Sequence, residues 1–345
     1  MITRRDFVAA LSSLPFMKFL SPQTANAEVP APSPSADAED VTRYVKIAIG
    51  TGGHGHTYPG ATVPFGMVQL SPDTYNDGWD WCSGYHYSDS SIMGFSHTHL
   101  SGTGASDMLD FLLMPGTGPT KLFPGARQNP GEGYRSRFSH EEEIAVPGYY
   151  SVNLRDYDIR AELTTTERAG FHRYTFPKSD TSHFLVDLVH SFSNTPVVWA
   201  FLKVIGEDTI VGGRSLKGWA PGREIYFAMQ FSKPFAKAEI VSDDKRLDAA
   251  VREAKGTSLK CLLHFLTDER EAISVKTGIS GVSEEGARKN VASEIPDWDF
   301  EKIRRTAQTK WNANLARIKV ETPTPPSPDN LLHRPLSPSL CAHSV

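Results

Sequence analysis

The sequence predicts an all-β fold, a two-sheet β-sandwich over residues 41–276, followed by the first helices of a further domain. Short segments rich in Val, Ile, Thr, Tyr and Phe alternate with clusters of Gly, Pro, Asn and Asp, which is typical of sandwiches and barrels. Several segments, such as FHRYTF at 171–176, alternate apolar and polar side chains, as expected where one face of a strand packs on a core. No strand-helix-strand rhythm interrupts them, so a parallel α/β sheet is not predicted.

The first 27 residues have the features of an export signal. Arg4 and Arg5 precede an apolar run at 7–20, and the sequence Ala-Asn-Ala at 25–27 matches a signal cleavage site. The arginine pair resembles a twin-arginine signal, which predicts export to the periplasm or the extracellular space. The apolar run is too short for a permanent membrane span. Residues 28–40 are rich in Pro, Ala and Ser and are expected to form an extended linker.

Helices are predicted between residues 277 and 321. Ser283 and Asp299 each precede a run of helix formers, at the position of an N-cap. We expect apolar surface around Trp311 and Leu315 to be exposed, because the packed domain that these helices begin does not continue. Residues 322–345 are a Pro- and Ser-rich run without helical period and are predicted to be disordered.

Charge and cysteine content exclude several classes of protein. The formal net charge is −4, from 36 basic and 40 acidic residues, so a nucleic-acid partner is not expected. Cys82, Cys261 and Cys341 are an odd number at wide spacing and form no disulfide framework or zinc knuckle. Two interpretations stay open for Cys82, a disulfide bond with Cys261 or a buried free thiol.

The segment GTGGHGHTYPGATVPFG at 50–66 contains the spacing G-x-G-x-x-G of dinucleotide-binding turns. Pro59 and Pro64 break the helix that such a turn must enter, so we interpret it as a glycine-rich loop between strands. Two His-x-His motifs, at 54–56 and 97–99, each place two imidazoles on one side of an extended chain. A zinc site built from these four histidines is an alternative to hydrogen-bonded loop histidines.

Aromatic residues are dense between residues 77 and 107, where Trp79, Trp81, Tyr85, His86 and Tyr87 lie beside Ser and Asp. Flat rings with scattered polar groups suit a sugar site, whereas a Trp cluster in the core is the other interpretation. The carboxylates available for acid–base chemistry are Asp77, Asp80, Asp107, Asp110 and the run Glu141–Glu143, which is expected to be solvated. No G-x-S-x-G motif supports a serine hydrolase.

Six ordered blocks together resemble the N-terminal portion of glycoside hydrolase family 92. They are IGTGGHGHTYPGATVPFGMVQLSPDT, GWDWCSGYHYSDSSIMGFSHTHLSGTG, YRSRFSHEEEIAVPGYYSVNL, AELTTTERAGFHRYTFP, GGRSLKGWA with YFAMQFSKPF, and GISGVSEEGARKN. The resemblance implies an exo-acting, calcium-dependent, inverting α-mannosidase, with a β-sandwich followed by an α/α barrel and an active site at their junction.

The matching positions give the candidate substrate-binding residues: Gly52, Gly53, His54, Trp79, Trp81, Cys82, His86, Ser96 and His97. The resemblance places the general acid, the general base and the calcium ligands in the barrel, so no catalytic or metal-binding residue is assigned here. It predicts a module of an exported α-1,2-type mannosidase that acts on mannose-capped glycans and is inactive alone. A carbohydrate-binding module without catalysis and a glycan amidase with a similar sandwich are the alternatives.

The C-terminal tail departs from the family pattern. Members continue for several hundred residues and read close to Phe-Tyr-Thr-Ala-Leu-Tyr-His shortly after VETP, whereas this chain has LLHRPLSP at 331–338. One choice of codons for that stretch gives the family sequence when it is read one nucleotide later. We therefore expect the tail to be out-of-frame translation, which the DNA sequence tests.

Overall fold

A computed structural model describes residues 40–105 and 107–318, and strands dominate that part of the chain. In chain order the strands are β1 (Ser71–Asp73), β2 (Ser91–Ile92), β3 (Gly94–Ser96), β4 (Leu112–Gly116), β5 (Ser136–Arg137), β6 (Ile144–Val146), β7 (Tyr149–Leu154), β8 (Ile159–Thr165), β9 (Ala169–Phe176), β10 (Ser179–Asp187), β11 (Val197–Ile205), β12 (Thr209–Leu216), β13 (Glu224–Phe231), β14 (Lys237–Ser242), β15 (Lys245–Arg246), β16 (Glu253–Gly256), β17 (Leu259–Thr267) and β18 (Glu271–Ser280).

Within the described ranges the strands form two large antiparallel sheets. One has seven strands in the order β1-β3-β4-β10-β17-β14-β15, and the other has nine in the order β16-β11-β12-β13-β18-β9-β8-β7-β6. The short strands β2 and β5 pair separately. The predicted all-β class is confirmed, and the last strand ends at Ser280, four residues beyond the predicted end of the sandwich at 276.

Aromatic side chains from both sheets meet in the core. Phe184 on β10 of the seven-stranded sheet is fully buried, and its ring lies 5.2 Å from that of Tyr174 and 5.5 Å from that of Phe176, both on β9 of the other sheet. Such edge-to-face contacts add to the stabilisation that burial of the ring provides. Alternating apolar residues on facing strands therefore hold the two sheets together.

Two helices follow the sandwich in the described residues, α1 (Glu284–Glu294) and α2 (Phe300–Leu315). Both begin where the sequence predicts, because Ser283 Oγ accepts the Gly286 N–H at 3.0 Å and Asp299 Oδ1 accepts the Lys302 N–H at 2.9 Å. Helix α1 lies so close to β18 that a Cβ on Gly278 would be 2.2 Å from the Ala287 carbonyl oxygen. Glycine is therefore required at position 278 for the helix to pack on the sheet.

Helix α2 packs on the sandwich, and the expectation of exposed apolar surface around Trp311 and Leu315 is wrong. These side chains are 6% and 5% exposed. The Trp311 indole N–H donates to the Thr62 carbonyl at 2.6 Å, and Phe300 and Ile303 are buried in one cluster with Phe171 of β9. The apolar face of α2 already has a partner in the nine-stranded sheet. Among the described residues, no helix has both the length and the apolar character that a membrane crossing requires.

The two described cysteines are buried free thiols, which excludes the disulfide interpretation. Cys261 lies in the main core on β17, whereas Cys82 packs with Leu109 and Phe192 in a separate small cluster. Burial raises the pKa of the Cys261 thiol to about 12 and also raises that of Cys82. Both thiols therefore act as small apolar groups. Cys341 lies outside the described residues.

Candidate functional site

Trp79 presents an open indole face next to the glycine-rich loop. Gly78 has φ of 85°, and it turns the chain into a short 3₁₀ segment, Trp79–Trp81. The Trp79 side chain is 58% exposed, and a Cβ on Gly104 would lie 2.2 Å from its Nε1. Only glycine at 104 lets that backbone support the ring. The core interpretation is therefore wrong for Trp79, whose face is available to a ligand.

Two histidines of the glycine-rich loop support this ring. The His54 ring centroid is 5.0 Å from that of Trp79, and His54 Nδ1 lies 2.5 Å from Asp80 Oδ1. The His56 ring meets Trp79 edge-on at 4.3 Å. His54 is 72% exposed at its side chain, so its second ring nitrogen is available for a polar ligand.

His56 belongs to this site, although the sequence suggests it only as a zinc ligand in the His-x-His motif at 54–56. It is 6% exposed and has φ of 52°, a left-handed conformation that is uncommon for a residue with a side chain. Its Nε2 is buried and has no hydrogen-bond partner among the residues described. Burial lowers the pKa of His56, and the opposing charge of Asp80 only reduces this effect. His56 thus packs edge-on against Trp79 as a neutral ring.

Trp81 is partly buried, although it lies only two residues from the exposed Trp79. The Arg127 guanidinium lies 4.6 Å from the Trp81 ring centroid, and the Trp81 Nε1–H donates to Asp89 Oδ2 at 2.7 Å. The Arg127 Nη1–H donates to the other oxygen of Asp89 at 3.2 Å, and the His86 ring lies 5.1 Å from Trp81. These contacts make Trp81 a positioning residue for the segment that carries Trp79.

The glycine-rich loop and the aromatic segment are joined by hydrogen bonds to carbonyl oxygens of the loop backbone. His86 Nε2 lies 3.3 Å from the Gly53 carbonyl oxygen, and the Tyr87 N–H donates to the Thr51 carbonyl at 2.8 Å. A Cβ on Gly52 would be in ordinary contact with Tyr87, 3.6 Å away. The structure therefore places five of the predicted residues at one surface: Gly52, Gly53, His54, Trp79 and His86.

Tyr87 borders the same surface, and a stacked histidine with its own buried hydrogen-bond partners holds the Tyr87 ring in place. Its ring is 47% exposed and stacks on His140, with centroids 4.0 Å apart and planes inclined by 15°. His140 Nδ1 lies 2.8 Å from Glu143 Oε2, and the hydroxyls of Tyr85 and Tyr150 donate to the same carboxylate at 3.0 and 2.7 Å. Burial and the charge of Glu143 raise the pKa of both tyrosines. Sequence alone could not connect residues so far apart.

The expectation that Glu141–Glu143 is solvated is wrong for its last member. The Glu143 side chain is 8% exposed, because two tyrosine hydroxyls and one imidazole enclose its carboxylate. Glu142 keeps 37% exposure and pairs with Arg155. A run of like charges can therefore end in a buried, fully hydrogen-bonded group.

The remaining predicted residues, Cys82, Ser96 and His97, lie beneath the surface. Each is at most 1% exposed. His97 Nε2 lies 3.0 Å from His172 Nε2, and its Nδ1 lies 2.9 Å from the Phe111 carbonyl oxygen. Contact of these three residues with a substrate stays a prediction. None of them exposes more than 1% of its surface, so none offers a ligand an accessible atom in the described structure.

The two His-x-His motifs do not converge, so the zinc alternative is wrong for the described residues. His54 and His56 support Trp79, whereas His99 is fully enclosed, with Nε2 2.7 Å from Asp73 Oδ1 and Nδ1 2.7 Å from the Gln69 carbonyl oxygen. Asp73 also accepts from His190 Nε2 at 2.8 Å. Burial would raise the pKa of Asp73, but the charges and hydrogen bonds of His99 and His190 outweigh it and lower that pKa.

The described carboxylates do not fit a calcium site. Across residues 40–105 and 107–318, no three His, Cys, Asp or Glu side chains come together in a way that could hold a metal ion. Calcium needs six to eight oxygen ligands, but Asp73 pairs with histidines and Asp110 pairs with Arg214 and Arg223 at 2.9 and 2.5 Å. We therefore derive no step through calcium from these residues.

The exposed Trp79 face offers a flat apolar surface beside the polar groups of His54 and Asp80, a combination that suits a sugar ligand. Comparison with known families gives the particular class. Residues 44–280 match the Glycosyl hydrolase family 92 N-terminal domain, and residues 286–332 match the Glycosyl hydrolase family 92 catalytic domain. The chain belongs to glycosyl hydrolase family 92.

Individual relatives agree with this assignment. A family GH92 α-mannosidase from Bacteroides thetaiotaomicron, solved in complex with mannoimidazole, is 40% identical with a TM-score of 0.81, over 85% of this chain and 39% of the relative. A family GH92 inverting mannosidase from the same species is 26% identical with a TM-score of 0.72, over 87% and 39%. An uncharacterized secreted glycosidase from Arthroderma benhamiae is 29% identical over 82% and 39%. The chain thus spans about two fifths of these relatives' length.

Proposed function

We propose that this chain is the sugar-binding β-sandwich module of an α-1,2-type mannosidase that acts on mannose-capped glycans. The observation that carries the proposal is the open face of Trp79, 58% exposed, beside the His54–Asp80 pair. An indole face can stack on the apolar face of a mannose ring, and the pair can hydrogen-bond its hydroxyls. The relative solved with mannoimidazole, a ligand of an α-mannosidase, supports this substrate class.

The residues of the sandwich bind and orient the sugar in this proposal. Trp79 fixes the plane of the ring, His54 and Asp80 fix its rotation, and His56 and Gly104 hold Trp79 in place. The general acid, the general base and the calcium ligands come from outside the described residues, as the family resemblance implies. We therefore expect the 345-residue chain to bind mannosides weakly and to release no mannose, because a site shared between two domains loses part of its contacts when one is absent.

Turnover measurements test the second half of this proposal. The purified chain is incubated with α-1,2-mannobiose, with calcium or with a chelator, and free mannose is measured. An intact family member, such as the mannoimidazole-binding relative, serves as the positive control. The expected result is mannose release by the control alone. Calcium-dependent release by the 345-residue chain contradicts the proposed inactivity.

A carbohydrate-binding module without catalysis is the second candidate, because the Trp79 surface is assembled wholly from described residues. The two candidate functions predict different affinities of this chain for mannose. A module that binds on its own should hold mannose at micromolar concentration, whereas half of a shared pocket should bind only in the millimolar range. Titration with methyl α-mannoside distinguishes them.

Export through the twin-arginine route is also part of the proposal. The secreted relative from Arthroderma benhamiae supports export, and Arg4-Arg5 suggests the route. Replacing both arginines by lysine keeps the charge and should retain the protein in the cytoplasm of a bacterial host. Unchanged export of that double variant contradicts the route.

A further inference from the structure

Asp73, at the end of β1, is a fully buried carboxylate that binds two histidines. Its Oδ1 lies 2.7 Å from His99 Nε2, and its Oδ2 lies 2.8 Å from His190 Nε2. Burial alone would raise the pKa of Asp73, but the charges and hydrogen bonds of the two histidines lower it. Asp73 is therefore an ionised acceptor, and each histidine donates an N–H to one of its oxygens.

His99 carries a proton on both ring nitrogens in this arrangement. Its Nδ1 lies 2.7 Å from the Gln69 carbonyl oxygen, which can only accept, and its Nε2 lies against the Asp73 carboxylate. Ser96 Oγ, 3.1 Å from the same Nε2, can accept as well. Both side chains of the His99–Asp73 pair are fully enclosed, so water does not screen their attraction. Buried hydrogen bonds therefore hold the ion pair in one geometry.

The stretch of chain that carries Trp79 returns to this ion pair at Gly84. Gly84 has φ of 78°, and a Cβ there would lie 2.4 Å from Asp73 Oδ1 and 3.2 Å from His99 Cδ2. The Gly84 N–H donates to the Trp81 carbonyl at 2.7 Å, which closes a tight turn behind Trp79. Because glycine at 84 has no side chain, this turn rests directly on the carboxylate.

The glycine-rich loop also reaches the ion pair. The Tyr58 ring centroid lies 5.1 Å from that of His99, a distance at which an aromatic ring attracts a cation. One residue earlier in the loop, the Thr57 carbonyl accepts the Ser83 hydroxyl at 3.1 Å, and Ser83 directly precedes the turn described above. The ion pair therefore lies where the glycine-rich loop and the segment 79–84 are joined.

We propose that Asp73 and His99 are positioning residues for the mannose-binding surface. Their ion pair fixes the segment that carries Trp79 against the loop that carries His54. This inference rests on the proposed function, in which Trp79 and His54 bind mannose. Neither side chain of the ion pair touches the sugar, because both are fully buried. Their effect on affinity is therefore indirect, through the two pieces of chain that they hold together.

Asp73→Asn tests the role of the ion pair. The amide has nearly the shape of the carboxylate, but it turns its own N–H groups toward one of two histidine N–H donors, and the repulsion should displace Gly84. Glu239→Gln is the matched control. Glu239 is also a buried carboxylate that binds a histidine, with His264 Nε2 at 2.7 Å, but it lies on β14, near the other edge of the seven-stranded sheet.

Three NMR measurements are made on the 345-residue chain. They are the indole N–H signal of Trp79, assigned with Trp79→Phe, the ring N–H signals of His99, assigned with His99→Gln, and the affinity for methyl α-mannoside. We expect wild type to show two N–H groups on His99 at neutral pH. Asp73→Asn should shift the Trp79 signal and weaken mannoside binding about tenfold, whereas Glu239→Gln should change neither.

Each outcome decides the inference. An unmoved Trp79 signal or an unchanged affinity in Asp73→Asn overturns it, and so does a single N–H on wild-type His99. If wild type binds no mannoside, the proposed function fails, and the Trp79 signal alone then decides whether the ion pair positions the segment.

A second pair of variants covers the case in which Asp73→Asn no longer unfolds cooperatively in a thermal melt. Tyr58→Leu removes the ring beside His99 and keeps the ion pair, whereas Tyr58→Phe keeps the ring as well. Tyr58→Leu should shift the His99 and Trp79 signals and weaken mannoside binding, and Tyr58→Phe should restore both. Wild-type signals and affinity in Tyr58→Leu overturn the inference.

Discussion

His97 and His172 face each other between the two sheets, with their Nε2 atoms 3.0 Å apart. His97 donates from Nδ1 to the Phe111 carbonyl, and His172 accepts at Nδ1 from the Tyr174 hydroxyl. If both rings are neutral, the His172 Nε2–H donates to His97 Nε2 and each nitrogen has a suitable partner. A further proton would place two N–H groups head to head in a dry interior.

We therefore expect the free energy of unfolding to fall as the pH drops from 6.5 to 4. Burial lowers the pKa of His97 to about 4 and that of His172 well below its usual value. Unfolded histidine binds its proton near pH 6.5, so in this window the unfolded chain holds more protons than the folded chain. The contribution of the neutral pair to the free energy of unfolding is complete above pH 6.5 and is lost as the pH falls toward 4. The loss from His97 alone is on the order of 3 kcal/mol.

Urea unfolding at several pH values measures this loss. His172→Gln removes one titrating ring and should flatten the pH dependence, whereas His54→Gln, at a side chain that is 72% exposed, should retain the wild-type slope. A wild-type free energy of unfolding that stays constant between pH 6.5 and 4 contradicts the neutral pair.

Removing the Asp110 carboxylate should strongly destabilise the protein. Asp110→Ala leaves the fully buried Arg214 guanidinium without its counter-charge and frees Arg223. Loss of one partner of a buried ion pair costs about 3–5 kcal/mol. Urea denaturation should show this as a lower midpoint. Glu285→Gln, which breaks an exposed pair with Lys289 on α1, should leave the midpoint unchanged, and equal effects of the two substitutions would argue against a structural role for Asp110.

Removing the Glu143 carboxylate should loosen the support of Tyr87. Glu143→Ala leaves two buried tyrosine hydroxyls, Tyr85 and Tyr150, without their acceptor. Each unsatisfied buried group costs about 1–3 kcal/mol. The free energy of unfolding should fall accordingly, while Glu141→Ala, at an exposed neighbour, should have no measurable effect. Identical stability of Glu143→Ala and wild type would mean that the hydroxyls find other acceptors.

Asp107→Ala should loosen the loop 217–223 between β12 and β13, which carries the 70% exposed Trp219. The substitution deletes the acceptor of the Ala220 N–H and of the Met108 N–H, so this loop loses one of its supports. We expect a change in Trp219 fluorescence, measured as the difference between chains with and without Trp219→Phe. Unaltered fluorescence would show that the contact of Arg223 with Asp110 holds the loop alone.

Local signals explain which parts of the fold the sequence predicts. Alternation in 171–176 and the N-cap residues Ser283 and Asp299 act within a few positions, and both helices begin where those caps indicate. The predicted exposure of the apolar face of helix α2 is wrong. The Trp311 indole N–H donates to the carbonyl of Thr62, which lies 249 positions away in the chain. Such pairings depend on the assembled sheets rather than on neighbouring residues.

In the candidate site, too, neighbouring residues determine some features and distant residues determine others. Trp79 and Trp81 are two residues apart and look alike in sequence, yet Arg127 covers only Trp81. The partner of His97 is His172, 75 positions later, so its burial could not be read from the His-x-His motif. For His56 the sequence holds one local indication of its unusual backbone conformation, because the residue lies beside the glycines of the loop that starts at Gly50.

Mannose binding by the Trp79 surface is tested most directly by a titration of the 345-residue chain with methyl α-mannoside. Saturation-transfer NMR should give millimolar binding for wild type, and Trp79→Ala should lose it while keeping the same melting temperature, because the ring is 58% exposed and contributes little to the core. No transfer to the wild-type chain, or equal transfer to the Trp79→Ala chain, would contradict the account.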